Sequence, residues 1–188
     1  VCSSDLKTSA GGSDTYQQSD SSSSSEILNT DISNALSNGT HVLIKTTNAN
    51  AAGNGDITVA ANIAVTGSAD ATLTLQAERD IVVNSNVSMA RTGASKLNVI
   101  LNSDFDGNGS GAIVMNTGSS INSNGGNITL GGTVDGAVSL ALNSTGVTTL
   151  GDKLGDSAAL TSVTTNTGGT LVMNGGVVTT SGAQHYGE

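Results

Sequence analysis

Short runs in which apolar and polar residues alternate recur along the chain from Ile27 onward. Alternation with a period of two places every second side chain on one face, which is the pattern of a half-buried β-strand. The segments between the runs are rich in Asn, Gly, Ser and Asp, the residues that favour turns. The pattern predicts strands at residues 41–45, 56–59, 71–75, 80–83 and 96–101.

Only residues 30–38 have the periodicity of a helix. Ile32, Ala35 and Leu36 fall on one face at helical spacing. Thr30 or Asp31 is expected to cap this helix, and Gly39 is expected to end it.

The apolar pairs of the strands fall into two classes with a repeating spacing. The first class comprises Ile57/Val59, Ile81/Val83, Ile113/Met115, Val147/Leu150 and Leu171/Met173. The second class comprises Leu73/Leu75, Leu97/Val99, Ile128/Leu130 and Val163. Ile57 and Ile81 are 24 residues apart, and extra length falls at residues 104–111 and 137–143. A repeat of this length, with two or three strands and Gly-Asn corners, is typical of a solenoid.

The predicted fold is therefore all-β, a parallel β-helix of about six or seven rungs with two insertions. Strands of successive rungs would pair at about 4.8 Å, with Ile stacked on Ile and Leu on Leu. A β-sandwich is the alternative for many short strands, but it does not explain the recurring spacing. The β-helix is assigned to residues 27–188.

Residues 1–26 have a different composition, dominated by Ser, Asp, Gly and Gln. So few apolar side chains do not offset the entropy of ordering, and the segment is predicted to be a disordered or artefactual leader. Its first part, residues 1–6, resembles the translated remnant of a sequencing adapter. The sequence contains no basic segment followed by an apolar one, which is the pattern of a signal peptide. The chain is interpreted as an internal fragment.

Composition and charge narrow the function classes. The chain has 25 Gly, no Pro and only three aromatic residues, so aliphatic side chains must form the core. Its net charge of −9 disfavours nucleic acid and anionic membranes as partners. The sequence contains no run of 18 apolar residues, so membrane insertion is not predicted. The single Cys2 cannot form an internal disulfide, and it does not decide the compartment.

Similar short strands with Asn, Asp and Gly corners recur in residues 53–59, 69–77, 80–84, 96–102, 111–113 and 121–132. These segments resemble the passenger repeats of filamentous-haemagglutinin-like large exoproteins. The resemblance extends from about Ile27 to the end of the chain. It implies a right-handed β-helix from a large adhesin, secreted to the surface of a Gram-negative bacterium by two-partner secretion. It further implies an outer-membrane β-barrel transporter as secretion partner, and adhesion to host-cell or bacterial surface glycans or proteins through other segments.

One departure from that family concerns its secretion-signal domain, which carries Asn-Pro motifs, whereas this chain has no Pro. The chain is therefore interpreted as part of the shaft. The predicted function is a non-enzymatic, structural shaft segment of a secreted adhesin that mediates cell adhesion and virulence. The alternative is a fragment of a β-helical polysaccharide-active enzyme whose catalytic rungs lie elsewhere.

The best candidate for a metal site is the acidic segment after the strand at 96–101. Asn102, Asp104 and Asp106 offer oxygen atoms at alternate positions, as the start of a calcium loop does. Ile113, however, occupies the twelfth position, where such a loop has a bidentate Glu. A solvated insertion loop is the favoured interpretation, and these three residues remain a weak calcium alternative.

Other motifs point to no catalytic set and no cofactor. The run 29–31 (Asn-Thr-Asp) is similar to one motif of β-helical polygalacturonases, but the further acidic residues of that chemistry are missing, so a cap or turn is favoured. His41 and His185 lie far apart in the sequence and are expected at the surface. The outward Thr residues do not form the regular ladder that ice binding requires.

Overall fold

The strands form three parallel sheets that the chain visits in turn. The structure, a computed structural model, describes residues 13–17 as backbone and residues 26–46 and 54–187 in full. Sheet A contains β1 (Ser13–Gln17), β2 (His41–Lys45), β5 (Ala71–Gln76), β8 (Leu97–Asn102), β11 (Ile128–Leu130), β14 (Val147–Leu150) and β16 (Thr170–Met173). Sheet B contains β3 (Ile57–Val59), β6 (Ile81–Val83), β9 (Ile113–Met115) and β12 (Val134–Asp135). Sheet C contains β4 (Ile63–Val65), β7 (Ser88–Arg91), β10 (Ser120–Asn122), β13 (Ser139–Asn143), β15 (Ser162–Thr165) and β17 (Gln184–Tyr186).

One passage through sheets A, B and C is a rung, and each rung stacks on the one before it. Sheet A has seven strands and sheet C has six, which agrees with the predicted six or seven rungs. In the last two rungs the place of sheet B is taken by single parallel bridges at Leu154 and Val178. The predicted parallel β-helix is confirmed.

The core is a set of aliphatic stacks that run along the axis. Ile57, Ile81 and Ile113 are paired in register in sheet B. The stack in sheet A consists of Leu75, Leu101, Leu130 and Leu150, each at most 1% exposed. Because β-strands in register place like side chains over each other, these stacks fill the interior without aromatic residues.

The two predicted strand classes correspond to sheets B and A only as far as the pair Ile128/Leu130. The last two pairs of the first class, Val147/Leu150 and Leu171/Met173, lie in sheet A instead of sheet B. Val163 of the second class lies in sheet C. The assignment fails in the late rungs because sheet B is reduced there to single bridges. The apolar pairs of those rungs therefore belong to sheet A.

The two predicted insertions have different outcomes. Residues 104–111 form an exposed loop between β8 and β9, and they lengthen that rung as predicted. Residues 137–143 are not additional, because β13 is the regular sheet C strand of its rung and pairs with β10 and β15.

The predicted helix is confirmed as α1 (Asn29–Ser37), which buries Ile32, Ala35 and Leu36. The predicted cap is wrong: Leu28 is the N-cap, and no side chain caps the helix. Gly39 ends α1 with φ of +82°, and the N–H groups of Gly39 and Thr40 donate to the carbonyls of Leu36 and Ala35. This is the Schellman motif, in which a left-handed glycine satisfies the last helical carbonyls.

The predicted leader overlaps one strand. Residues 13–17 form β1, which pairs in parallel with β2. The rest of residues 1–25, with the proposed adapter remnant at 1–6 and Cys2, lies outside the described residues.

Candidate functional site

The insertion loop uses its carboxylates to bind its own backbone. Asp104, with φ of +51°, accepts hydrogen bonds from the N–H groups of Gly109 at 3.0 Å and Ser110 at 3.3 Å. Asp106 accepts one from the side-chain amide of Asn108 at 2.6 Å. The backbone N–H groups of Asn108 and Ser110 donate to the side-chain oxygens of Asp106 and Asn108, each two residues earlier, and so form two successive Asx-type turns.

The three predicted calcium ligands have different surroundings. The Asp104 and Asp106 carboxylates accept hydrogen bonds from N–H donors of the same loop. The Asn102 side chain lies against Gly131 of the next rung, on sheet A. The described residues contain no group of three or more His, Cys, Asp or Glu side chains that could hold a metal ion.

The same loop carries Phe105, which is 39% exposed. The ammonium group of Lys45 lies 4.3 Å from the centroid of the Phe105 ring, a cation–π contact between β2 and the loop. The N–H groups of Asp104 and Phe105 donate to the carbonyls of Arg79 and Ala77. The loop is thereby held against the preceding rung.

A charged cluster lies where the chain enters sheet B. Arg79 donates through Nε to Asp56 at 2.6 Å, contacts Asp56 again through Nη2, and lies 3.4 Å from Asp80. Asp56 accepts the Asp80 N–H at 3.1 Å, and Asp80 accepts the Ala112 N–H at 2.9 Å. The carboxylates of these two successive rungs therefore each accept a backbone donor from the next rung.

The chemistry of this cluster differs from that of a hydrolytic pair. The hydrogen bond from Arg79 lowers the pKa of Asp56 below its usual value of 3.8, and it raises the pKa of Arg79. A glycosidase acid needs a raised pKa so that it holds a proton to donate. Asp56 is kept ionised instead, which suits a link between rungs.

Helix α1 is joined to the edge of sheet C by three side chains on one helical face. The Asn29 amide donates to the Asn62 carbonyl at 2.8 Å. The hydroxyl groups of Ser33 and Ser37 accept the N–H groups of Ala64 and Thr66, both at 3.1 Å. Asn29, the start of the polygalacturonase-like motif, is therefore part of a helix-to-strand seam. Thr30 and Asp31 lie beside it in α1 and make no cap.

A shallow polar cavity of about 220 Å³ lies at the corner between sheets C and A. It is lined by Asn122, Asn124, Gly125, Asn143, Ser144, Thr145 and Asn166. Asn122 and Asn143 are in register on adjacent strands, and Asn166 follows on the next rung. Every side chain that lines the cavity is neutral. This corner was not predicted from the sequence, although Asn recurs at or just after the ends of sheet C strands.

Arg91 is the largest fully buried side chain, with 1% exposure. Its Nη2 donates to the carbonyls of Gly67 and Ala69 at 2.6 Å and contacts the Ser95 hydroxyl. Burial lowers the pKa of Arg91 from its usual value. The guanidinium ties two corner segments together, although its Nε and Nη1 have no partner among the described residues.

The two histidines lie far apart in the fold as well. His41 is exposed on β2 in the first full rung, and His185 is exposed on β17 in the last.

Among the described residues, no helix is long and apolar enough to cross a membrane. No family model, curated protein or solved structure matches this chain.

Proposed function

We propose that this chain is a structural shaft segment of a secreted bacterial surface adhesin, and that it acts by geometry without catalysis. The observation that carries the proposal is the unbroken parallel pairing of sheet A from β1 to β16. At about 4.8 Å per strand, six rungs extend about 29 Å along the axis. A segment of this kind holds contacting regions at a fixed distance from their anchor.

The polar contacts between rungs support this function. Asn98 accepts the N–H of Asn127 at 2.9 Å, and Asn127 accepts the N–H of Val147 at 2.8 Å. Together with the Asp56–Asp80–Ala112 series, these bonds continue rung-to-rung pairing at the corners, where the strands end. Backbone groups that are paired at corners as well as in sheets resist shear between rungs.

The identity of the parent protein rests on the resemblance of the rungs to filamentous-haemagglutinin-like exoproteins. Under this proposal an outer-membrane β-barrel transporter secretes the protein, and other segments contact surface glycans or proteins. The acidic exterior, with a net charge of −9, favours solubility and disfavours association between like-charged shafts.

Recovering the complete reading frame and its neighbours from the source DNA tests the assignment to an adhesin. We expect a frame that continues through many similar rungs beside a transporter gene. A frame that closes within a few hundred residues and contains clustered carboxylates would instead support the polysaccharide-active enzyme.

A spacer exchange tests the mechanical role. Residues 71–122, which contain two rungs, would be replaced in the parent adhesin by two rungs of an unrelated β-helix, and in a second variant would be deleted. If the segment acts only as a spacer, we expect full cell adhesion after replacement, because the length is kept, and weaker adhesion after deletion. Loss of adhesion in both variants, with normal surface display, would contradict it.

A further inference from the structure

The sequence contains five Asn-Gly dipeptides, a pair that can rearrange without an enzyme. Their asparagines are Asn38, Asn54, Asn108, Asn124 and Asn174. The backbone nitrogen of the glycine attacks the side-chain carbonyl carbon of the asparagine, and the absence of a glycine side chain leaves the approach open. In a folded protein the reaction needs an asparagine amide and a glycine N–H that are both free of hydrogen bonds, and a backbone between them that can rotate.

Two motifs have a glycine nitrogen that is already bonded. At the end of α1, the Gly39 N–H donates to the Leu36 carbonyl at 3.0 Å. In the insertion loop, the Gly109 N–H donates to the Asp104 carboxylate at 3.0 Å. Attack by either nitrogen would first break a hydrogen bond of the fold.

Two further motifs are held by other atoms. The Asn124 amide donates to the carbonyls of Gly93 at 2.5 Å and Ser95 at 3.0 Å, which fixes the group that would be attacked. Gly55, which follows Asn54, is buried, and its carbonyl accepts the Thr46 hydroxyl at 2.7 Å. Rotation of the backbone at Gly55 would break that bond.

Asn174 meets all the requirements. It is exposed directly after β16, and its side chain makes no hydrogen bond to any described residue. Neither the N–H nor the carbonyl of Gly175 is bonded to any described residue. Gly176 follows with φ of +69°, and the space around its Cβ position is open. The turn after Asn174 therefore has two consecutive glycines and no bond at the reacting nitrogen.

The free nitrogen is a property of this corner of every late rung. The pairing of sheet A ends with the Asn174 N–H, which donates to the Leu150 carbonyl at 2.8 Å. Gly175 follows it and lies against the backbone of Asp152, the equivalent residue of the preceding rung. The N–H groups of Asp152 and of Gly132, one rung earlier, also have no described acceptor. Among these rungs, only the last one combines the free nitrogen with an asparagine.

We propose that Asn174 is a site of spontaneous deamidation in the folded protein, with water as the only co-reactant. The Gly175 nitrogen loses its proton and bonds to Asn174 Cγ, the bond from Cγ to Nδ2 breaks, and ammonia leaves. Water then opens the succinimide at either carbonyl, which gives aspartate or isoaspartate. No oxidation or reduction occurs. The product adds one negative charge beside Asp152. This inference is independent of the shaft function, because it rests on one turn.

The folded chain would be incubated in mildly alkaline buffer, and peptide mapping by mass spectrometry would follow each motif with time. Deamidation adds about 1 Da, and an isoaspartyl methyltransferase labels the isoaspartate product. We expect Asn174 to react at least about tenfold faster than Asn108, because one hydrogen bond that must break raises a barrier by about that factor. Asn174→Gln should remove the early mass gain, whereas Asn124→Gln should leave it unchanged. Gly175 is kept, since a Cβ there would collide with the Asp152 backbone.

The same time course in urea separates the fold from the local sequence. We expect the five motifs to react at similar rates in the unfolded chain, because the bonds that protect four of them are lost. A folded chain in which Asn174 stays unmodified, or in which another asparagine reacts first, would overturn the proposal. An equal advantage of Asn174 in the folded and unfolded chains would also overturn it, because local sequence would then select the site.

Discussion

At the scale of single residues, this protein uses side-chain oxygens to replace the strand pairing that stops at corners. Asp56, Asp80, Asn98 and Asn127 each accept a backbone N–H from the following rung. A buried or half-buried N–H without an acceptor is costly, so these short polar residues stabilise stacking where no sheet exists. The same property explains why the corners are rich in Asp and Asn.

The Asp56–Arg79 contact predicts a pH dependence of stability. The pKa of Asp56 is lowered in the folded state, so its contribution is present above its usual pKa of 3.8 and is lost as the pH falls through the lower folded value. The free energy of unfolding of the Arg79→Met variant should therefore fall below that of wild type above pH 4, and the gap should close in more acidic solution. Urea titrations at several pH values measure it.

Lys153→Met is the matched control, because Lys153 and Asp156 form an ion pair whose side chains are each 45% exposed. Exposed pairs contribute little, so this variant should follow the wild-type pH profile. An Arg79→Met gap that does not change with pH would contradict the role given to the Asp56 carboxylate.

Asp106→Ala tests the insertion loop. Its carboxylate bonds only within an exposed loop, so the free energy of unfolding should change by less than about 0.5 kcal/mol. Asp104→Ala removes the acceptor of two backbone N–H groups and should lower the free energy of unfolding by about 1 kcal/mol.

Calorimetric titration of wild type with millimolar calcium should give no heat. Calcium-dependent stability that disappears in Asp106→Ala would revive the metal site.

At the scale of elements, α1 covers the edge strand β4 of sheet C, because the rise of one helical turn nearly equals the rise of two strand residues. Four residues of a helix rise about 6.0 Å and two residues of a strand about 6.6 Å. Asn29, Ser33 and Ser37 therefore face alternate backbone groups of β4 and the residues beside it. An unpaired strand edge invites association with other chains, and this seam covers it.

The double variant Ser33→Ala/Ser37→Ala should lower the free energy of unfolding by about 1 kcal/mol, because two N–H groups lose their acceptors while alanine slightly favours the helix. Asn34→Ala is the control, since Asn34 is exposed on the same helix and should be neutral or stabilising. Thermal unfolding followed by circular dichroism measures both. Equal stability of the double variant and the control would show that water satisfies the strand edge equally well.

At the scale of the whole molecule, stability comes from stacking each rung on its neighbours. Leu73 is 0% exposed and is in register with Val42 and Val99 in the adjacent rungs. The same strand places Thr74 on the outer face, beside Leu43 and Ile100. Adjacent residues of β5 therefore have opposite environments.

Leu73→Asp should destabilise the protein by about 4 kcal/mol or more, since it places an unpaired charge between stacked rungs. Thr74→Asp should change stability by less than about 1 kcal/mol. Limited proteolysis and urea unfolding compare the two variants. A soluble, protease-resistant Leu73→Asp protein would contradict the assigned inner face.

The alternation of apolar residues predicted which residues face inward better than it predicted which residues pair. The 24-residue repeat predicts Leu97 as the equivalent of Leu73, whereas the structure pairs Leu73 with Val99. The shift is two residues, and because side chains alternate with a period of two, the inner face is unchanged. Parity is a local property, but register depends on the length of the intervening turns.

The strands of sheet C were the hardest to predict from the sequence. Its early strands, Ile63–Val65 and Ser88–Arg91, contain Ala, Ser or Arg between or beside apolar residues and lack a conspicuous aliphatic run. Arg91 faces inward there, opposite Val65, because carbonyls of the corner segment accept its donors. No local pattern identifies a cation as an inner residue when its acceptors come from another rung.

By itself, the sequence determined the strand-rich parallel β-helix, the aliphatic core and the single helix, since these follow from periodicity and composition that each segment carries locally. Only the tertiary structure decided the register, the third sheet, the seam between α1 and β4, and the polar corner between sheets C and A. Each of these depends on residues 20 or more positions apart meeting across rungs, for example Asn29 with Asn62 and Asn122 with Asn143. Such contacts depend on how the turns close, which no short window of sequence contains.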